Sequence, residues 1–139
     1  MLSGGISVSA QGFPKKALAS VTEERARNIV GFLADDLLQG RDAGMQGGYL
    51  AAEYIVSLFK EWGVEPLLES GYYQPFTAVK NVNNWLTEAN RDIAPLIADG
   101  CETRELRNIL AVIPGKEDGI VVVGAHYDHL GIDATLQGD

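Results

Sequence analysis

Ile120-Val121-Val122-Val123 is the run that most constrains this chain, because it leads straight into Gly124-Ala125-His126-Tyr127-Asp128-His129. Four successive β-branched apolar residues predict a strand over Ile120 to Ala125, buried on both faces and therefore central in a sheet. At its carboxyl end the chain turns ionisable, with an imidazole and then a carboxylate two positions on. Ligands of open α/β sheets gather outside the carboxyl ends of strands. A histidine there can ligate a metal, and a nearby aspartate can hold its ring in one tautomer. Residues two apart on an extended segment project the same way, so His126 and Asp128 can face one site.

The rest of the chain frames that strand. Ser20 with Glu23 fits a capping box that opens a helix, with Thr22 as an alternative cap. Ala26, Ile29, Val30, Leu33 and Leu37 continue it at helical spacing to about Leu38. A glycine-rich loop, Gly40 to Gly48, leads to a second helix over Tyr49 to Trp62. Gly63 stands at its C′ position, and Pro66 bars its resumption. Tyr72 to Lys80 reads as a strand that Pro75 demotes to an edge or a bulge. Asn81 to Asn84 signal a turn, and residues 81–104 read as an irregular excursion. Leu106 to Ile113 is a strand, and the turn Pro114 to Gly119 joins it to Ile120–Ala125 as an antiparallel hairpin. Helices preceding a sheet with a valine-rich central strand indicate a layered α/β domain.

Composition narrows the function classes. At 139 residues, 46% hydrophobic and 22% charged, the chain matches one globular domain. A net charge of −8 argues against a nucleic-acid partner, since phosphate binding needs clustered Lys and Arg. No apolar stretch approaches the roughly 20 residues that cross a bilayer, so no membrane span is expected. The single Cys101 reads as a buried or inert thiol, with no intramolecular partner. Residues 1–19 read as a flexible tail or a signal-peptide remnant. Val8-Ser9-Ala10 resembles the small-residue end of a signal peptide, although the positive n-region is missing. The localisation expected from it is export, periplasmic or secreted.

Other candidate sites are weaker. The glycine-rich loop follows a helix, whereas phosphate-binding glycines follow a strand and open a helix. It reads as a helix–helix connection. Asp35 and Asp36 point about 100° apart on a helix, which favours a solvated face over paired acid–base carboxylates. With two histidines and no Gly-x-Ser-x-Gly, no Ser-His-Asp arrangement is supported.

Beyond these readings, Arg107-Asn108-Ile109-Leu110-Ala111-Val112-Ile113-Pro114-Gly115 with Ile120 to Gly131 (IVVVGAHYDHLG) resembles the zinc-dependent aminopeptidase family with two co-catalytic zinc ions. That family also contains glutaminyl cyclases, glutamate carboxypeptidase-like enzymes and the transferrin-receptor ectodomain. Leu38-Gln39-Gly40-Arg41 through Gly48, and Ala51 to Gly63, are similar to its amino-terminal region. Together these stretches cover somewhat more than half of the chain, and residues 67–104 carry no matching motif. The resemblance implies a layered α/β zinc-exopeptidase-like fold with a mixed central sheet, of which residues 20–139 form the amino-terminal part.

By the same resemblance, His126 ligates one zinc and Asp128 is the carboxylate behind it. The two metals activate water and polarise the scissile carbonyl, removing residues singly from the amino terminus of a peptide substrate. The family's bridging Asp, general-base Glu, remaining carboxylate ligands and final His lie in segments beyond this sequence, and neither Asp133 nor Asp139 matches one. A zinc site takes three or four protein ligands, so the chain alone is expected not to catalyse. His129 reads as a structural or substrate-pocket residue, and the family places Arg41 near the cleft. Two alternatives stay open: a non-catalytic binding or assembly module, which exposed sheet edges would join into a homo-oligomer, and a glutaminyl cyclase relative with a single zinc.

Overall fold

A computed structural model of the chain describes residues 15–82 and 84–132. Most of the expected tail, and Asp133 and Asp139, lie outside the described residues. The chain divides into two compact units, Met1–Ala34 and Asp35–Asp139.

The described part of the first unit is two helices, α1 (Lys15–Ser20) and α2 (Glu23–Leu33). Of the two candidate caps, Thr22 is the one used: its hydroxyl accepts the Arg25 amide at 3.2 Å, while Ser20 donates back to Ala17 O at 2.7 Å. The helix stops at Ala34 rather than at Leu38. Asp35 ends it by competing for the backbone: its carboxylate accepts the Leu37 amide at 2.9 Å and caps a new 3₁₀ turn, Asp36–Arg41. Asp35 is thus a cap and not half of an acid–base pair.

In the second unit the 3₁₀ turn delivers Leu38 to the core and then reverses through Gln39, Gly40 and Arg41, at φ of 49°, 64° and 49°. Helix α3 (Gln46–Glu61) comes next, beginning three residues before the expected Tyr49. Its first turn carries Gly47 and Gly48 against the backbones of Leu38 and Asp42. It ends as expected at Gly63, with Val64 N–H on Phe59 O at 2.9 Å and Gly63 N–H on Lys60 O at 3.2 Å. That pair of bonds is a Schellman motif.

Strands β1 (Glu65–Pro66) and β5 (Ala111–Val112) pair antiparallel, and β2 (Tyr73–Asn81), β3 (Asn84–Thr87) and β4 (Thr103–Ile109) form a second antiparallel sheet in the order β3-β2-β4. Mixed α/β content is therefore as expected. Among the described residues every strand pair is antiparallel, and the one parallel bridge joins Asp42 to His129. The strand bearing Pro75 is central, not an edge. The proline is tolerated because β3 covers only Ala78 to Asn81, so at Pro75 the side facing away from β4 is locally open. The excursion at 81–104 is more regular than expected, holding β3 and a short helix α4 (Ala94–Ala98). The expected strand 106–113 starts at Thr103 and breaks at Leu110, where the chain leaves β2 for β1. Leu38, Ala51, Ala52 and Val56 are buried along the 3₁₀ turn and α3, and Ala78, Val79 and Ile93 at the sheet.

The largest departure is at the run that opened the sequence argument. Ile120–Ala125 forms no strand and no hairpin with 106–113, and Ile120, Val121, Val122 and Val123 stand 87–92% exposed. A strand buried on both faces needs a neighbour along each edge and a layer on each side. Among the described residues nothing supplies them here.

Candidate metal centre

Downstream of that exposed run the chain docks again, and the docked segment is the motif. His126 Nδ1 lies 2.9 Å from the main-chain oxygen of Asp128 and 3.5 Å from its Oδ1. A carbonyl oxygen can only accept, so Nδ1 carries the proton and the lone pair of neutral His126 sits on Nε2. The ring is 80% exposed. The expected His–Asp pairing is therefore present, but the Asp128 carbonyl makes the closer contact and its carboxylate stands behind it.

This arrangement fits one ligand of a zinc ion: an imidazole whose Nδ1 is held from behind, which leaves Nε2 as the donor. Among the described residues no group of three His, Cys, Asp or Glu side chains stands together. Zinc takes three or four donors from protein, and the imidazole of His126 is a single one. His129 is engaged through its backbone instead: its amide donates to Arg41 O at 3.0 Å, and its side chain is exposed.

The motif is held by the two regions singled out in the sequence. Arg41 donates from Nε to Tyr127 O at 3.0 Å, while Gly131 N–H donates to Gly40 O at 3.1 Å. The approach is too close for side chains: a Cβ on Gly40 would meet Gly131 O at 2.5 Å, and one on Gly131 would meet Asp42 Cβ at 2.8 Å. Asp42 is anchored in turn by Arg104, whose Nη1 donates to its Oδ2 at 2.8 Å and to Ala43 O at 2.9 Å. The Arg104 guanidinium also lies 4.5 Å from the Trp85 ring centroid. Trp85 thus packs here with a cation on its face.

Beneath the motif is a cluster whose roles sequence reasoning missed. The Arg107 guanidinium lies 4.1 Å from the Tyr73 ring centroid and 4.8 Å from that of Tyr49. Its Nη2 donates to Tyr49 O at 3.1 Å and pairs with Glu53 Oε1 at 3.2 Å. Two tyrosine hydroxyls cap the outer edge of β4: Tyr127 donates to Arg107 O at 2.6 Å and Tyr49 to Glu105 O at 2.5 Å. Unpaired edge carbonyls are thereby satisfied. The one available signal was charge on a strand, since Arg104 and Arg107 stand at half-buried positions of β4.

Burial pushes the Tyr73 phenol up to about 12, with the Glu53 carboxylate adding to the effect and Arg107 opposing it. Glu53 lies close enough to act through its charge but outside good hydrogen-bond geometry, since the buried Tyr73 hydroxyl has no well-formed partner. Burial raises Tyr127 as well, again opposed by Arg107. For Tyr73 the protonated form is the one favoured by folding. Its contribution to stability is full below the ordinary value of 10.0 and disappears as pH rises toward about 12. Absorbance at 295 nm should show a tyrosine step near the top of the titration, and Tyr73→Phe should remove it. An unchanged alkaline limb in Tyr73→Phe would contradict the assignment.

No protein-family model, curated protein or solved structure matches the chain.

Proposed function

We propose that this chain is the amino-terminal part of a zinc-dependent aminopeptidase, with a layered zinc-exopeptidase-like fold, in which His126 is a zinc ligand and Asp128 holds its ring. The observation that carries this reading is the contact of His126 Nδ1 with the Asp128 main-chain oxygen at 2.9 Å, which leaves Nε2 of an 80% exposed ring as the nitrogen with a lone pair to give. Docking of the Tyr127–Gly131 segment on Gly40 and Arg41 supports it further, because the two stretches that carry the family resemblance meet in space. Bound zinc supplies a Lewis acid that activates water and polarises a peptide carbonyl. The chain's own contribution is to fix which nitrogen of His126 faces the cleft and to hold its backbone still.

The remaining ligands come from outside these residues. The exposed Ile120–Val123 run is where further strands would add, from the rest of such a domain or from a second copy. Peptides with a free amino end are the substrate class of the complete enzyme.

The test is turnover of an aminoacyl-nitroanilide with added Zn²⁺. The 139-residue chain should give none. A longer chain bearing the remaining ligands should be active, and His126→Ala in it should lose that activity, since a zinc site takes three or four protein ligands. Zinc-dependent cleavage by the short chain, or full activity of His126→Ala, would overturn the proposal.

A further inference from the structure

Arg41 touches the motif on both sides of Asp128. Its side chain donates from Nε to Tyr127 O at 3.0 Å, and its own carbonyl accepts the His129 amide at 3.0 Å. Between those two bonds lies the residue whose carbonyl receives the His126 proton. The Tyr127–Asp128 peptide plane is thus fixed by a guanidinium from the glycine-rich loop, 86 residues away in sequence. Arg41 itself is held at φ 49°, an uncommon backbone for a side-chain-bearing residue, next to Gly40 at φ 64°. Such conformations cost energy and persist only where the surroundings impose them. Here they turn the loop so that one residue presents a backbone acceptor and a side-chain donor to the same short segment.

We propose that Arg41 is a positioning residue: its carbonyl, accepting the His129 amide, sets the Asp128–His129 peptide plane, and its Nε–H on Tyr127 O keeps the segment docked there, so that the Asp128 carbonyl stays against His126 Nδ1 and the ring stays protonated on Nδ1 with Nε2 free. The purpose of that arrangement rests on the zinc reading, but the tautomer is a property of the metal-free chain. The tautomer can therefore fail while zinc chemistry stands, and the reverse.

Chemistry offers a near-isosteric test. The glutamine Nε2 sits where the arginine Nε does along the stem, so Arg41→Gln keeps an N–H donor at that point and removes the charge. Arg41→Met keeps the stem length and removes the donor. All three side chains are unbranched at Cβ and meet the same backbone cost at positive φ. The probe is long-range ¹H–¹⁵N correlation of the imidazoles in the 139-residue chain, recorded at alkaline pH. His129, the other histidine, is the internal control.

The wild-type chain should show His126 as the Nδ1–H tautomer, the form that free histidine disfavours. Arg41→Gln should retain it. Arg41→Met should lose it, with His126 relaxing to the solution-like mixture while His129 stays unchanged. Any pattern in which the two variants behave alike, or in which only glutamine disturbs the ring, overturns the proposal. So does a solution-like His126 in the wild-type chain. Loss of helical circular dichroism in Arg41→Met also overturns it, because Arg41 would then hold the fold and not the motif.

Discussion

Arg107→Ala should destabilise the second unit by about 3 kcal/mol, because the guanidinium does several jobs at one point. It lies against the rings of Tyr73 and Tyr49, at 4.1 and 4.8 Å from their centroids, and desolvated cation–π contacts of this kind contribute on the order of 1–2 kcal/mol each. Its bond to Tyr49 O at 3.1 Å is charge-assisted, a class of contact that adds roughly 1.5–3 kcal/mol. The pair with Glu53 adds little, since that carboxylate is 60% exposed. The terms overlap, and Arg107 Nε is itself buried without an acceptor, which holds the total below their sum. Urea denaturation gives the loss as a lower midpoint. Arg107→Lys should recover little of it, because an ammonium cannot lie flat between two rings. Full stability in either variant would mean that the cluster is incidental.

Gly47→Ala should cost on the order of 3 kcal/mol or more, against the direction of helix propensity. In an isolated helix, alanine is better than glycine by roughly 1 kcal/mol. Here a Cβ on Gly47 would overlap the carbonyl of Leu38, a backbone atom with no flexible end to yield. Helix α3 would have to lift from the turn that buries Leu38, opening the small core they share with Ala51, Ala52 and Val56. Gly31→Ala is the matched control: Gly31 lies in α2 with nothing within 4 Å of the new Cβ, so the same change there should stabilise by roughly 0.5–1 kcal/mol. Equal signs for the two substitutions would refute the packing argument.

Local rules carried much of the fold from sequence alone. Gly63 closed α3 through bonds that span a few residues and depend on little else, whereas the cap of α2 fell to Thr22, the alternative, and not to the Ser20 capping box. Pro75 was harder, because whether a strand position is an edge depends on how far the neighbouring strand reaches, which is a property of β3 and not of β2. Helix α2 ended early for a local reason that periodicity obscured: Asp35 offers its own carboxylate to the backbone, while Leu37 keeps the apolar spacing. The early start of α3 was obscured in the opposite way, since two glycines that look like loop are demanded by close packing on Leu38 and Asp42.

The candidate site divides along the same line. His126 and Asp128 were legible because the chemistry of a ring and its acceptor lies within three residues. Arg41, Arg104 and Arg107 act through partners between 58 and 86 residues distant, counting Arg107 to Tyr49, Arg104 to Asp42 and Arg41 to Tyr127. No spacing rule reaches that far. The valine-rich run misled for the same reason. Its pattern specifies what kind of neighbours it needs, and among the described residues those neighbours are not there.

On the proposed reading it is His126, not His129, that gives a nitrogen to zinc. Imidazole ¹⁵N resonances tracked while Zn²⁺ is added in large excess to the chain test it directly, with two histidines to tell apart. Nε2 of His126 should move to the metal-bound range while its Nδ1 stays protonated and His129 does not respond. A response at His129 with His126 silent, or binding through His126 Nδ1, would contradict it.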